Sequence, residues 1–554
     1  MTTIPDNATT TETIAVGGSF ASNINFSGDK DWVSVSLQAG VTYTVALSGI
    51  GALALGDPIL TIFNANSTQV AEDDDSGTGL NSLASYTPTV SGTYFLQAAA
   101  FGIGTGRYEM TVEAETPPSF LDSIDWGTQM STTAINVYFA PAGEVVDGYT
   151  SRGWSAYEIQ QTMLALRQMS NVCDVNFQIT TTANDADFTL GTARSQQFLG
   201  FFNPPDTGPN SGSGIMAVNG QGWDDFAGGG LEQGGYGFIT LIHELGHGMG
   251  LAHPHDRGGS STKWEGVTKP FDSYGTFDLN QGVYSVMSYN DGWETNPDGL
   301  PPGDLYGYQG TMMAFDIAML QQKYGANTSF HGGADSYTLL DQNASGTYYA
   351  CVWDTGGIDE ITYGGAANAN IDLRAAHLGY AVGSGGFISF ASGIFGGFTI
   401  ANGVVIENAA GGSGDDTITG NERRNLLDGN GGDDALIGGL GRDKLIGGSG
   451  ADMFAFLSLA DSGSSATQRD TIADFNSGAD HIDLTAMDGR SNGSANDAFI
   501  WINSGTFNTV KGELRWQATV KGVVVQADRD GDGAADFTLF LAGISAVVQG
   551  DFSL

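Results

Sequence analysis

The 554-residue chain is poor in three things, and each shortage excludes something. It has two cysteines, Cys173 and Cys351. At most one disulfide can form, and a single bridge and two buried free thiols are both open. It has 20 Lys and Arg against 62 Asp and Glu, a formal net charge of −42. Nucleic-acid binding is excluded as the default, because little is left to neutralise phosphates. No apolar run is long enough to span a membrane. The opening Met-Thr-Thr-Ile-Pro-Asp-Asn-Ala-Thr-Thr has no basic region and no apolar stretch, so it does not read as a secretory signal peptide. What is present points to a folded protein that binds cations. Aromatics make up 10%, too many for a disordered acidic chain. Glycine, at 83 residues, is about twice the usual share, and most of the excess falls in local runs. The length predicts three or four domains.

Histidine is also scarce, yet four of the seven lie between 243 and 255. His243, Glu244, His247, Gly250 and His253 spell H-E-x-x-H-x-x-G-x-x-H, the metzincin zinc-protease signature. Four residues apart on a helix, His243 and His247 share one face and can reach one ion. Phe238, Ile239, Leu241, Ile242 and Leu245 give that helix an apolar side. Gly250 lets the backbone turn sharply, which can bring His253 back as a third nitrogen ligand. Three protein ligands leave a position open, the mark of a catalytic zinc site. Glu244 is placed to act as general base on a water held there. The alternative, ordinary helix-surface histidines, does not account for the clustering.

Residues 284–290, Tyr-Ser-Val-Met-Ser-Tyr-Asn, lie where a second signature is expected. They resemble the Met-turn of the serralysin branch of the metzincins. That resemblance implies Met287 as the floor beneath the zinc, and Tyr289 as a displaceable zinc ligand and oxyanion donor.

From residue 1 to 116 the pattern is all-β. Trp32–Leu37 and Tyr43–Leu47 alternate, and Ile59–Phe63, Tyr94–Gln97 and Tyr108–Val112 read as strands. Gly28-Asp-Lys-Asp-Trp32, Asp57-Pro58, Glu72-Asp-Asp-Asp75 and Ser91-Gly-Thr-Tyr94 resemble the pre-peptidase C-terminal (PPC) domain, a small β-sandwich. The acids at 72–75 read either as a calcium loop or as a solvated turn. Residues 114–131, with Pro117-Pro118, read as a linker. In the protease segment, 117–325, Ala134–Phe139, Val175–Ile179 and Phe188–Leu190 read as strands. Trp154–Asn171 reads as a helix capped by Ser155. Gly214–Asn219 is expected to be an exposed edge strand to which an extended substrate adds. Ala314–Tyr324 reads as a last helix, with Asp316 bracing the zinc region.

Residues 411–455 repeat with period nine, from Gly411, Gly420, Gly429, Gly438 and Gly447. Position six holds Asp416, Asn425, Asp434, Asp443 and Asp452. Position eight holds Ile418, Leu427, Leu436, Leu445 and Phe454. This is the G-G-x-G-x-D-x-U-x calcium (RTX) repeat. Aspartate offers the hard oxygen calcium prefers, and the apolar residue packs inward. By resemblance, units eighteen residues apart stack. One calcium site then joins Gly412, Gly414 and Asp416 to Gly429, Gly431 and Asp433. A second joins Asn430, Gly432 and Asp434 to Gly447, Ser449 and Ala451. The unit at 420–428 keeps only its first glycine. Upstream, Asp354, Gly356, Gly357, Asp359 and Glu407 also resemble serralysin calcium positions, with His331, Gly333 and Asp335 a weaker match. Asp528, Asp530 and Asp532 have the spacing of an acidic calcium loop without its closing glutamate. The final Asp551-Phe-Ser-Leu554 resembles a type I export signal.

The resemblance implies a multidomain chain. Its parts are an N-terminal antiparallel β-sandwich (1–116), an α/β zincin protease domain (117–325), a parallel β-roll with RTX calcium repeats (326–455) and a β-sandwich-like tail with the export signal (456–554). The implied activity is a secreted zinc endopeptidase stabilised by calcium. Its implied partners are protein or peptide substrates, a proteinaceous inhibitor and the type I secretion machinery, and the implied state is a monomer. Two rivals stand beside it: a calcium-dependent adhesin with a vestigial protease domain, which the intact Glu244 disfavours, and a zinc hydrolase of non-peptide substrates.

Overall fold

The computed structural model describes residues 4–38, 41–114, 120–205, 208–490 and 497–554. The chain forms two compact units, Met1–Ser119 and Phe120–Leu554.

In the first unit, period-two strands form two four-stranded antiparallel sheets. One runs Gly18–Ile24, Gly106–Ala114, Tyr43–Gly49, Ser82–Tyr86, and the other Asp31–Leu37, Gly92–Ala100, Pro58–Phe63, Gln69–Asp73. Alternation puts Val33, Val35 and Leu37 of one sheet and Val45, Leu47 and Met110 of the other into one apolar core. All the strand-like runs expected here are strands.

Pro117-Pro118 lies outside the described residues. The rest of the expected linker does not behave as one. Phe120–Ile124 is a 3-10 helix, and Leu121 and Ile124 are buried in the core of the larger unit. The Trp126 N–H then donates to the Gly250 carbonyl at 3.0 Å. Two apolar side chains that find a core make this stretch part of the larger unit.

The larger unit opens with a five-stranded sheet. Its order is Asn176–Thr180, Ala134–Phe139, Phe188–Ala193, Ser213–Ala217, Gly200–Phe202, with the first four parallel and the last antiparallel. Three α-helices follow the expected spacing: α1 (Ala156–Val172), α2 (Tyr236–Gly248) and α3 (Ala314–Tyr324). In α1, Ser155 and Glu158 form a reciprocal capping box. The expected edge strand is not an edge. Ser213–Ala217 is buried throughout and lies between two neighbours. An unbroken apolar run such as Gly214-Ile-Met-Ala217 suits a strand covered on both faces. The exposed edge is Gly200–Phe202 instead.

Beyond α3 the chain winds through two long sheets, ten- and nine-stranded. The nine-residue units alternate between them. Thr417–Thr419, Ala435–Ile437 and Met453–Ala455 stack in one, and Leu426–Asp428 and Lys444–Ile446 in the other, all parallel and eighteen residues apart. Position eight is fully buried in every unit. The tail strands continue the same two sheets, through Asp470–Ile472, Phe537–Ala542 and Phe552–Ser553. One continuous core runs from Leu121 to Phe552. Cys173 and Cys351 are both buried and free, so no bridge forms.

Candidate active site

Helix α2 is buried on all sides from Gly237 onward. It places the His243 and His247 rings 5.0 Å apart. The chain then leaves the helix at Gly250, whose φ of +82° belongs to the left-handed region, and where a side chain would also strike the Thr128 carbonyl. This turn returns His253. Its Nε2 lies 3.2 Å from His243 Nε2 and 3.0 Å from His247 Nε2.

The opposite ring nitrogens are all occupied. His243 Nδ1 donates to the Val286 carbonyl at 2.8 Å, and His247 Nδ1 to the Leu251 carbonyl at 2.9 Å. His253 Nδ1 meets Asp256 Oδ2 at 2.9 Å. A carbonyl cannot donate, so the first two rings carry their proton on Nδ1. Burial, and then repulsion from the other histidines, holds His243 well below its ordinary value and His247 at about 3. Both rings are therefore neutral at pH 7, with bare Nε2 lone pairs turned toward one point. Such a donor set fits a divalent cation, and the Nδ1 partners are the outer contacts that orient a metal-binding histidine.

Glu244 is 8% exposed and faces a cavity of about 340 Å³. Burial pushes its carboxyl up to about 8. Gly200 of the edge strand lies against it; a methyl group there would come within 2.7 Å of Glu244 Cγ. Tyr289 packs 5.5 Å from the His243 ring and 4.7 Å from His253, and burial raises its hydroxyl to about 12. Met287 is fully buried beneath α2, and a methyl group at Gly246 would approach its Sδ to 2.8 Å. Asp316 braces this turn as expected. It accepts from Ser285 Oγ at 2.7 Å, Val286 N at 2.8 Å and Met313 N at 3.0 Å. Val286 thus connects α3 to His243, giving its N–H to Asp316 and its carbonyl to the ring.

Sequence reasoning missed several residues here. Asp256, three residues past His253, could have been found by asking which carboxylate orients that ring. His255 stacks 4.8 Å from His253 and 4.4 Å from Tyr289. Gly200 and Asp291 reach the cavity from distant segments, and no local pattern marks them.

The structure brings the expected repeat residues together. Asp416 accepts from Ala369 N and Gly412 N, both at 2.6 Å. Its own N–H donates to Asp434 Oδ1 at 2.8 Å, and Asp434 N donates to Asp452 Oδ1 at 3.1 Å. The other sheet repeats this from Asn425 N to Asp443 Oδ1 at 2.8 Å and Asp443 N to Asp470 Oδ1 at 2.7 Å. All these side chains are about 1% exposed or less, and Oδ2 of Asp434, Asp443 and Asp470 has no partner. Burial raises Asp434 and Asp443 to about 7 and Asp470 to about 8. The outer acids stack too: Asp433 N donates to Asp415 Oδ1 at 2.9 Å, and Ala451 N to Asp433 Oδ1 at 2.8 Å. The Gly432 backbone packs on Gly414, and Gly448 on Asn430. Gly431 pairs with Ser449, and Gly429 and Gly447 sit against the carboxylates of Asp434 and Asp452. Asn430 takes a left-handed φ of 66°, which asparagine tolerates.

Upstream, Asp354 takes a hydrogen bond from Tyr337 at 2.5 Å and from Gly356 N at 2.8 Å. Asp359 Oδ1 accepts from Asp335 N at 2.8 Å, and Asp359 N donates to Glu407 Oε2 at 2.9 Å. Asp359 Oδ2 is buried without a partner, and Gly357 packs on Gly333. His331, Asp335 and Asp354 meet in one cluster, to which these hydrogen bonds tie Asp359 and Glu407. In the tail, Asp530 and Asp536 join Asp528, whereas Asp532 Oδ1 accepts from Ala534 N at 2.7 Å. The Asp528 carboxylate is taken up by Gly531 N and Gly533 N at 2.7 and 2.8 Å, so the expected 528-530-532 set is not formed. In the first unit, Asp74 and Asp75 approach Asp57, while Asp73 accepts from Ser76 N and Leu83 N.

Comparison with known proteins places the chain in a family. The family model for the Peptidase M10 serralysin C terminal matches residues 321–554. Metallopeptidase AprA of Pseudomonas marginalis is 34% identical over 412 residues, covering 71% of this chain and 80% of the relative. Metalloprotease AprA of Pseudomonas entomophila is 31% identical over 469 residues, covering 80% and 90%. Serralysin G of Dickeya chrysanthemi is 36% identical over 413 residues, covering 70% and 78%. Likeness at this level extends over most of both chains, and on that ground the chain belongs to the serralysin family of metalloendopeptidases.

Proposed function

We propose that the metal is zinc, held by His243, His247 and His253 with Tyr289 as a displaceable further ligand, and that Glu244 is the general base of peptide hydrolysis. The observation that carries this reading is the convergence of three bare Nε2 atoms beside a buried carboxylate. A bound zinc ion supplies a Lewis acid that polarises a carbonyl and acidifies water. The positive charge of an ion held by the three histidines would favour the ionised form of Glu244, and in that form it takes the proton of the attacking water and delivers it to the leaving amine. The Tyr289 hydroxyl, still protonated at pH 7, donates to the developing oxyanion. The unpaired edge of Gly200–Phe202 lies beside Glu244 and offers backbone groups to an extended peptide added as a further strand.

The unpartnered carboxylate oxygens of the roll suit calcium, which takes hard oxygen ligands. The proposed sites are those around Asp416, Asp434, Asp443 and Asp452, and around Asp354, Asp359 and Glu407. Without the ion these acids repel one another. An unfolded chain then suits type I export, and external calcium folds the roll. We assign 1–116 as a PPC-like module, 117–325 as the protease, 326–455 as the roll and 456–554 as the tail with the export signal. The protein is read as a secreted monomer that a proteinaceous inhibitor can occupy at the active site.

The test is casein cleavage and metal content of purified full-length protein. Glu244→Ala should lose on the order of 10²–10⁴-fold in rate while keeping stoichiometric zinc. Equal cleavage by the variant, or active wild type without zinc, would overturn the assignment.

A further inference from the structure

The cavity beside Glu244 also carries a feature that peptide hydrolysis as such does not need. Its walls are largely apolar, with Phe198, Leu199, Ile239 and Phe271 among them, and Asp291 lies in its lining. The Tyr236 hydroxyl lies beside the Asp291 carboxylate. The other ionisable groups felt near it are acids, Glu294 beside Asp291 and Asp304 beside Tyr236. Among the described residues no lysine, arginine or histidine forms an ion pair with it. Lys269, on the segment that carries Phe271, pairs with Asp272 instead, at 3.0 Å.

An acid in a largely apolar cavity with no basic side chain paired to it gains from a cation that brings its own apolar covering. Lysine and arginine side chains have that form, a methylene stem that lies along apolar walls and a charged head that needs an acceptor. The volume of about 340 Å³ admits such a side chain. An acidic substrate side chain would meet Asp291 and its acidic neighbours and be rejected.

We propose that Asp291 makes this cavity a specificity pocket for a lysine or arginine side chain of the substrate, next to the scissile bond. The proposal rests on the reading of Glu244 as the base, because it is the nearness of the cavity to Glu244 that places the selected residue beside the cut. Asp291 acts on which peptide is cut and takes no part in the bond-breaking step.

Full-length wild type and Asp291→Asn are each given a peptide library, and the cleaved positions are mapped by mass spectrometry, with Glu244→Ala as blank. Wild type should favour Lys or Arg over neutral residues at one position flanking the cut, on the order of ten-fold or more. Asp291→Asn should bring the ratio of kcat/KM for matched basic and neutral peptides close to one. Cleavage without a basic preference, or a preference that survives in Asp291→Asn, overturns the proposal and leaves the active-site reading intact. No cleavage by wild type overturns both. Should Asp291→Asn fail to fold, inhibition of wild type decides: n-butylguanidinium should compete with substrate at concentrations where n-pentanol does not, and equal inhibition by both overturns it.

Discussion

The N-terminal sandwich and the C-terminal roll are both built almost wholly of strands, but they bury different chemistry. In the sandwich, strands of five to nine residues send alternate apolar side chains into a shared core. Its fully buried acid, Asp31, accepts from the Tyr108 hydroxyl at 2.7 Å through Oδ2, while its Oδ1 has no partner and burial raises its carboxyl to about 6. In the roll, three-residue strands each supply one fully buried apolar residue, and each nine-residue unit buries an aspartate, or Asn425 in the unit at 420–428. The hydrophobic effect suffices for the first arrangement. The second places a ladder of anions where water cannot solvate them, and its carboxyls rise accordingly. On the proposed reading, the roll, with its stacked buried aspartates, needs a counter-ion more than the sandwich does.

Calcium removal should separate the two regions most sharply. In chelator, hydrogen exchange of the full-length protein should show lost protection across 411–483 and retained protection in Asp31–Leu37 and Gly92–Ala100. Equal loss in both would break the contrast.

The pH should come next. Asp434, Asp443 and Asp470 hold protons up to about 7 to 8 in the ion-free fold, well above unfolded carboxylates at about 4. A raised folded value means that stability is fully present below about pH 4 and is lost as pH rises through 7 to 8. In chelator, the exchange protection of the roll should thus be greater at pH 5 than at pH 8. Saturating calcium should flatten this slope, and a protection that grows with pH in chelator would contradict it.

Core truncation compares the regions directly. Leu47→Ala in the sandwich should cost about 2–5 kcal/mol in urea melts, whether or not calcium is present. Leu445→Ala in the roll should instead raise the calcium concentration needed for folding. If its cost were as independent of calcium as that of Leu47→Ala, the roll would not need its ion. The smallest effect is expected for Tyr108→Phe, which removes one hydrogen bond to a buried acid, about 1–3 kcal/mol, and should leave calcium dependence unchanged.

What the sequence made legible follows the range of each interaction. His243 and His247 four apart, Ser155 and Glu158 three apart, and Asp or Asn every nine residues are local rules, and each stands where spacing put it. Residues 120–126 looked like linker because the surfaces that bury Leu121 and Ile124 lie elsewhere in the chain. Ser213–Ala217 looked like an edge because the strand that covers it, Gly200–Phe202, is a short Gly-Phe-Phe with no alternation of its own. Asp291 faces the cavity only after the Met-turn folds beneath α2. The 528–532 acids had a plausible spacing, but glycine N–H groups took up Asp528, and the Arg529 and Asp530 N–H groups hold Asp536 there instead of Asp532.

The wiring at Val286 has a genetic corollary. Its amide and its carbonyl tie Asp316 to the His243 ring, and neither belongs to a side chain. Replacing Val286 by any residue except proline leaves both atoms in place, so mutational scanning at that position would report packing and nothing about the linkage. Only the two ends, 316 and 243, can reveal that the third helix and the metal-facing imidazole answer to one another.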